Sequence, residues 1–488
     1  TLNNLAKQFL LTTASVPEGI ASANQSLTAM RTEKLVALGD AADAWKLAML
    51  AKPDQMDDIT LRTVAEAALV SSVAEDVCKK LPEIVKTHTS AEWQKAVFVC
   101  QARAKDMKAA QLSVDILHAQ NIKDDAFFAL AEKNILVTGK QLLRQLTPLK
   151  PLTLALLRLI DLPLRDELYA HPDAALILEL LKTKAESEKP KLDLAERSAV
   201  RGLIDAATLG NVYQSIVFPP DVVSTAALSK ETGARLRALL YQATQQEKNP
   251  QNKVIDALKF LQSGNADELS GTIAEVLAGM VADVQPAADY NASADRLVLI
   301  YILAGDSPKA LSWLKQAQTA AIGMPGVATG LQNMWPLLVA AGLESDKNYT
   351  KNMESWLHSV LTPPDVKAGA VPDMRAARKN VATILLVLEA NGCSVPDNAW
   401  DKLTDAPTFD KNITPSAFTL ERLRAAGVAN HRAEAVLDGL LLANGNNDIP
   451  LASVIPMLRA LHAVGLTAEA GNFARDVAAG IVLQNESK

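Results

Sequence analysis

The residues of this 488-residue chain best suited to chemistry are three cysteines and six histidines. Cys78 and Cys100 lie at equal distances, eleven residues each, from a turn centred on Thr89. Residues 77–86 and 90–100 each read as a helix, with the polar turn Thr87-His88-Thr89-Ser90 between them. Both arms of an antiparallel helical hairpin rise about 1.5 Å per residue. Residues equidistant from the turn therefore meet at the same height, and the spacing predicts a Cys78–Cys100 disulfide. Two reduced, buried thiols are the alternative, and a kink at Pro82 would spoil the register. Cys393, in Asn391-Gly392-Cys393-Ser394, has no partner in sequence and reads as a structural thiol. His88, His118, His171, His358, His431 and His462 are scattered. None forms the i, i+4 pair of a His-Glu-x-x-His zinc helix, and no Cys-x-x-Cys occurs, so no metal site is expected.

Other patterns fall short of a mechanism. There is no Gly-x-Ser-x-Gly elbow. Gly323, Gly326 and Gly330 lack the Lys-Ser/Thr that would hold a nucleotide phosphate, and the stretch reads as a long loop. Asn444 to Asp448 lacks the alternating carboxylates and distal glutamate of a calcium loop. Glu354-Ser355 and Glu186-Ser187 were the sequence's nearest approach to the Glu-Ser-Gly acid of periplasmic lytic transglycosylases, and neither is followed by glycine. No catalytic residue, cofactor or metal is expected. Among the tryptophans, Trp45, Trp93 and Trp313 read as core residues. Trp335, Trp356 and Trp400 are candidates to line a partner-binding groove, because Trp favours interface hot spots.

The elements that would carry these residues are helical. Half of the chain is apolar (49%) but only 4% aromatic, the apolar share being Ala and Leu, which lead the helix-propensity ranking. Turns of one design recur: Leu38-Gly39-Asp40, Lys105-Asp106 and Gly305-Asp306, then Gly427-Val428 and Gly465-Leu466-Thr467. A glycine that accepts the left-handed conformation ends one helix, and Asp, Ser or Thr caps the next. Thr89 to Glu92 has the form of a capping box, and Ser307-Pro308 and Thr414-Pro415 place a cap before proline. Helices near 295–304 and 381–389 are apolar on nearly all sides and belong inside. Ala185 to Lys191 reads as a solvated linker, and Ser215 to Pro220 as an extended connection. The fold class is all-α, an irregular α-solenoid of antiparallel hairpins, in three segments: 1–147, 148–285 and 286–488. The hairpins resemble tetratricopeptide units without a fixed period near 34 residues.

A second resemblance rests on Ala195-Glu196-Arg197-Ser198-Ala199, Gly202-Leu203-Ile204-Asp205, Leu209-Gly210-Asn211-Val212-Tyr213, Phe218-Pro219-Pro220 and the run Ala234 to Ala243, together with the Cys78, Trp93, Cys100 hairpin. In this order they resemble a group of exported, Ala/Leu-rich proteins of α-proteobacteria without assigned activity. That resemblance implies an envelope location and no catalytic residue. The chain begins at Thr1 rather than Met, which is compatible with a removed leader. No apolar run approaches the roughly 18 residues of a transmembrane helix. The net charge is −6 with both signs interspersed, and no basic stripe carries interleaved aromatics, so nucleic acid is not expected as a partner. The sequence therefore points to a non-enzymatic periplasmic scaffold or adaptor that binds a protein in an envelope machine for motility, secretion or cell-wall assembly. A cell-wall or polysaccharide-modifying enzyme with a dispersed site and a cytosolic repeat adaptor are the alternatives. Partner identity and oligomeric state are not encoded legibly.

Overall fold

The computed structural model describes residues 2–12, 26–52, 55–132, 146–160, 163–224, 230–265, 269–344, 347–362, 374–403, 415–443 and 449–486. Among them the chain is all-α, with no strand beyond an isolated bridge between Leu164 and Ala185. It divides into two compact units, Lys7–Ser198 and Thr1–Ala6 with Ala199–Lys488. The division falls inside the helix Glu188–Val200, between Ser198 and Ala199.

Helix α1 (Leu2–Leu11) is followed in the first unit by α2 (Leu27–Ala37), α3 (Ala41–Leu50), α4 (Asp58–Leu69), α5 (Ala74–Ile84), α6 (Ala91–Arg103), α7 (Met107–Ala119), α8 (Asp125–Ala131), α9 (Pro151–Ile160), α10 (Ala174–Leu181) and α11 (Glu188–Val200). The second unit holds α12 (Ala206–Gln214), α13 (Pro220–Ser224), α14 (Gly233–Gln246), α15 (Pro250–Ser263), α16 (Ser270–Met280), α17 (Ala294–Leu303), α18 (Ser307–Ala321), α19 (Pro325–Asn333) and α20 (Trp335–Ala340). It continues with α21 (Tyr349–Leu361), α22 (Arg375–Ala390), α23 (Asp397–Asp401), α24 (Ala417–Val428), α25 (Arg432–Ala443), α26 (Leu451–Ala463) and α27 (Thr467–Glu486). Helices adjacent in sequence pack on one another, as in α2–α3, α6–α7, α14–α15, α17–α18 and α24–α25.

One backbone device makes these reversals. At Gly39 (φ 80°) the N–H bonds the Val36 carbonyl at 2.9 Å, and the Asp40 N–H reaches Leu35 O at 2.9 Å. This pair of bonds satisfies carbonyls that the helix end would leave bare. It recurs at Lys105, Asn121, Gly305, Gly342, Gly392, Asn430 and Gly465, all with positive φ. The next residue then starts the following helix in three cases: Asp40, Asp106 and Asp306 accept the N–H of Asp43, Ala109 and Lys309. Expected stops elsewhere are moved. Gly427 lies inside α24, where a Cβ would sit 3.5 Å from Ala460 Cα, and Asn430 ends the helix instead. Asn tolerates the left-handed region through its short polar side chain.

Three local expectations are corrected. Residues 325–333 are helical, not a loop, because Pro325 occupies the first turn and Gly330 lets α19 lie against the buried Asp295 of α17. The charged stretch ending at Lys191 is not a linker from Glu188 onward. It is the first turn of α11, whose Leu192, Ala195 and Ala199 are buried at helical spacing. The capping box at 89–92 does not form: Ser90 precedes α6 as its cap, and its hydroxyl accepts no hydrogen bond. Thr414, Pro363, Pro364 and Asn444 to Asp448 lie outside the described residues, and Ser416, not a residue before Pro415, caps α24 through the Thr419 N–H. The apolar helices behave as expected: every residue of α17 except Arg296 is buried, and Val381, Leu385 and Leu388 of α22 are fully so.

A Cβ on Gly330 would overlap the Asp295 carboxylate, whereas one on Gly326, in the same helix, meets nothing within 4 Å. Gly330→Ala should therefore destabilise the protein by about 1–3 kcal/mol, the cost of overpacking a close helix contact. Gly326→Ala should leave stability within about 0.5 kcal/mol. Thermal unfolding of the two variants checks this.

Candidate functional site

The disulfide forms where the spacing places it. Cys78 on α5 and Cys100 on α6 are joined, with Cα atoms 5.5 Å apart and a sequence separation of 22. Pro82 lies in the last turn of α5 and cannot donate to the Cys78 carbonyl, but the helix runs on to Ile84 and the register holds. A closed loop of this size is worth roughly 3 kcal/mol in the chain-entropy account.

Around the brace, polar side chains tie helices together. The Trp93 indole N–H donates to Asp58 Oδ1 at 2.9 Å, at the start of α4. The same oxygen lies 2.6 Å from His88 Nδ1, so the hairpin turn is held to α4 as well. His88 is thus half-buried and partnered rather than free in solvent. The Trp45 indole N–H donates to Asp76 Oδ2 at 2.8 Å, again in the first turn of a helix. A buried indole needs an acceptor for its one donor, and carboxylates at helix N-termini are favoured there by the helix dipole. The signal legible in sequence was an Asp at each helix start. Its partner, some thirty residues away, had no local mark.

Lys95 of α6 is nearly buried and pairs with Asp124 at 2.6 Å. Burial alone would push the Asp124 carboxyl up, but the Lys95 ammonium and the Phe127 N–H more than offset it and hold it below the ordinary value of 3.8. In α4, burial pushes the Glu66 carboxyl up despite Arg62 at 3.7 Å. In the second unit Asp438 is 1% exposed, and burial raises its pKa against the pull of Arg422, whose Nε lies 3.5 Å away. Neither of its oxygens has a hydrogen-bond partner. Each of these carboxylates sits against a cation of a neighbouring or the same helix, Lys95, Arg62 and Arg422 in turn.

The aromatic candidates separate. Trp335 and Trp356 are 1% and 2% exposed, with ring centroids 5.3 Å apart, and Tyr349 packs edge-on against Trp335 at 5.5 Å. They are core residues, so the expectation that they line a groove is overturned for both. Burial pushes the Tyr349 hydroxyl up to about 12. Trp400 is half-buried and the structure brings neither of the other two to it in a ring contact. Burial also raises the Cys393 thiol, which keeps it protonated and unreactive at neutral pH. Glu354 is exposed, with Asn398 donating to it at 3.3 Å. The remaining histidines are dispersed: His118 stacks on Phe128 beside Glu132, His462 meets Asn391, and His431 meets Glu434. Among the described residues no three His, Cys, Asp or Glu side chains are grouped to hold a metal ion. One cavity of about 10 Å³, lined by Leu5, Gly439, Leu440, Met457 and neighbouring apolar residues, has room for no more than a water.

No family model, no curated protein and no solved structure matches the chain significantly. No helix among the described residues is long and apolar enough to cross a membrane.

The lowered Asp124 carboxyl fixes the sign of a pH effect. Its contribution to stability is present above about pH 5 and is lost as pH falls through 3.8 toward the folded-state value. Asp124→Asn should flatten the acid-side loss of stability relative to the native chain while changing the fold little. Urea unfolding followed by circular dichroism at pH 6 and pH 3 measures the difference.

Proposed function

We propose that this chain is a non-enzymatic scaffold of a bacterial envelope compartment that binds a protein partner on surfaces built by its helical hairpins. The observation that carries the reading is the Cys78–Cys100 bridge set in an array of hairpins that pack in chain order. Disulfides persist in oxidising compartments, which favours the periplasm among bacterial locations. Hairpin arrays build extended surfaces from neighbour contacts, and such surfaces typically bind protein segments. The resemblance to exported Ala/Leu-rich proteins of α-proteobacteria agrees with both points. The polar side chains around the brace are engaged in tying helix to helix, as the Trp93–Asp58–His88 contact illustrates. The partner contacts would then come from side chains left exposed on the outer helix faces.

The experiment is crosslinking in intact cells of an α-proteobacterium that produces the chain, followed by denaturing purification. A defined envelope protein enriched reproducibly over an unrelated exported control supports the scaffold. Recovery of the chain alone, across crosslinkers of different reach, contradicts it.

A further inference from the structure

Helices α24, α25 and α26 enclose one apolar core, built around Leu423, Ala435, Leu442, Met457 and Ala460. Asp438 of α25 is buried among them, one turn from Ala435 and from Leu442, with 1% of its side chain exposed. The next residue, Gly439, holds a Cβ position 3.7 Å from Met457 Cε, so α26 closes over this turn of α25. Ser453 of α26, one turn before Met457, is buried as well, with its hydroxyl unpartnered. Neither oxygen of Asp438 accepts a hydrogen bond. The cation it meets is Arg422 of α24, whose Nε lies 3.5 Å from Oδ2. Arg422 gives its hydrogen bond to Glu434 instead, from Nη2 at 3.1 Å.

Glu179 shows how this fold houses a carboxylate that stays ionised when buried. Its side chain is 7% exposed, and Arg158 and Lys182 donate to its two oxygens at 2.7 and 2.6 Å. Asp438 has the burial without the bonds. A charge taken from water and left unbonded is costly, whereas the neutral acid is tolerated. Burial accordingly pushes its carboxyl above the ordinary 3.8; Arg422 pulls the other way and Glu434 adds to the rise. The remaining charged groups on the three helices are engaged elsewhere. Glu421 pairs with Arg424, His431 meets Glu434, Arg432 donates to the Val464 carbonyl, Arg459 lies beside Glu389, and His462 meets Asn391. Leu5 of α1 also touches α25, and residues 2–6 carry no charged side chain. Arg422 and Glu434 are therefore the charges that Asp438 answers to.

We propose that Asp438 is the proton-binding element of a pH-operated latch, which closes α24 and α26 on α25 when the carboxyl is neutral and loosens them when it is ionised. The chemical step is uptake of one proton from solvent by the carboxylate, giving the carboxylic acid. The neutral acid needs no cation, so Arg422 stays with Glu434 and the apolar core closes. The ionised form is relieved by water, which reaches it when α24 moves off the turn of α25 that carries it. The sign follows from the geometry. The folded chain holds this proton more tightly than the unfolded chain, whose carboxyl titrates near 3.8. The stabilisation is therefore complete below 3.8 and is lost as pH rises through the folded-state value. This is opposite in sense to Asp124, and it ties the packing of these three helices to the acidity of the surroundings. The inference goes beyond the scaffold reading and stands without it.

The test is hydrogen–deuterium exchange of the full, oxidised chain, read by mass spectrometry on peptides from α24, α25 and α26 and corrected for the intrinsic effect of pH on exchange. Between about pH 7 and about pH 4.5 the native chain should gain protection in these helices by about tenfold for each unit by which the folded carboxyl lies above its ordinary value within that range. Peptides from the α17–α18 hairpin should not share the gain. Asp438→Asn, which keeps the shape and removes the charge, should be as protected at pH 7 as the native chain is in acid, and its protection should not respond to pH. Arg422→Gln, which leaves Asp438 in place and removes the cation, should move the native response to higher pH. It keeps the test decisive if the Asn variant does not fold by circular dichroism. Equal protection of the native chain at both pH values overturns the proposal. So does a pH response that survives in Asp438→Asn, since another group such as His431 would then carry it, and so does a response that Arg422→Gln leaves in place or moves to lower pH.

Discussion

The structure depends on how each helix ends. A helix of ten to fifteen residues leaves four carbonyls without partners at its C-terminus, and a chain built of 27 described helices meets that problem repeatedly. At eight of the described helix ends the solution is one residue in the left-handed region, followed at once by the cap of the next helix at Gly39-Asp40, Lys105-Asp106 and Gly305-Asp306. The two crossed hydrogen bonds satisfy the open carbonyls and turn the chain sharply, so consecutive helices come to lie antiparallel. The α5–α6 turn that brings Cys78 and Cys100 together reverses without a left-handed residue, and there the disulfide itself ties the two helices.

This device explains which parts of the fold were legible in sequence. Gly followed by Asp is a strong local mark for the turns at residues 39 and 305, and Gly465 before Leu466-Thr467 is a related one. The turns at Asn121 and Asn430 use a residue that is common in many other settings, so their mark is weak. Glycines chosen for close approach rather than for backbone freedom misled the reading in the opposite direction. Gly330 and Gly427 look like loop and terminator, yet each lies inside a helix: at Gly330 the Asp295 carboxylate leaves no space for a side chain, and at Gly427 a Cβ would be in van der Waals contact with Ala460 and Ala463. Such contacts are long-range, and a single sequence does not display them. The same holds for Trp335 and Trp356, whose burial against each other depends on how α20 and α21 pack.

The disulfide was legible for a different reason. The two cysteines are equidistant from a turn that could be seen, and helix rise converts equal counts into equal heights. The network attached to the brace was not legible, because Asp58 and Asp76 accept from indoles in helices of other hairpins. Those contacts explain why the brace is more than a local staple: α4, the α5–α6 turn and Trp93 share one carboxylate oxygen. A rigid platform lowers the ordering cost of binding, since its side chains are presented by helices that are already locked in place.

The oxidised brace in its native compartment is the point on which the account of location and platform both rest. Its most direct measurement is acid quenching of intact cells, alkylation of free thiols with a mass-tagged maleimide under denaturing conditions, and peptide mapping by mass spectrometry. The account expects Cys393 to carry the tag while Cys78 and Cys100 are recovered as one linked pair of peptides. Tags on all three cysteines would contradict it, since the chain would then live in a reducing compartment and the platform would be unbraced.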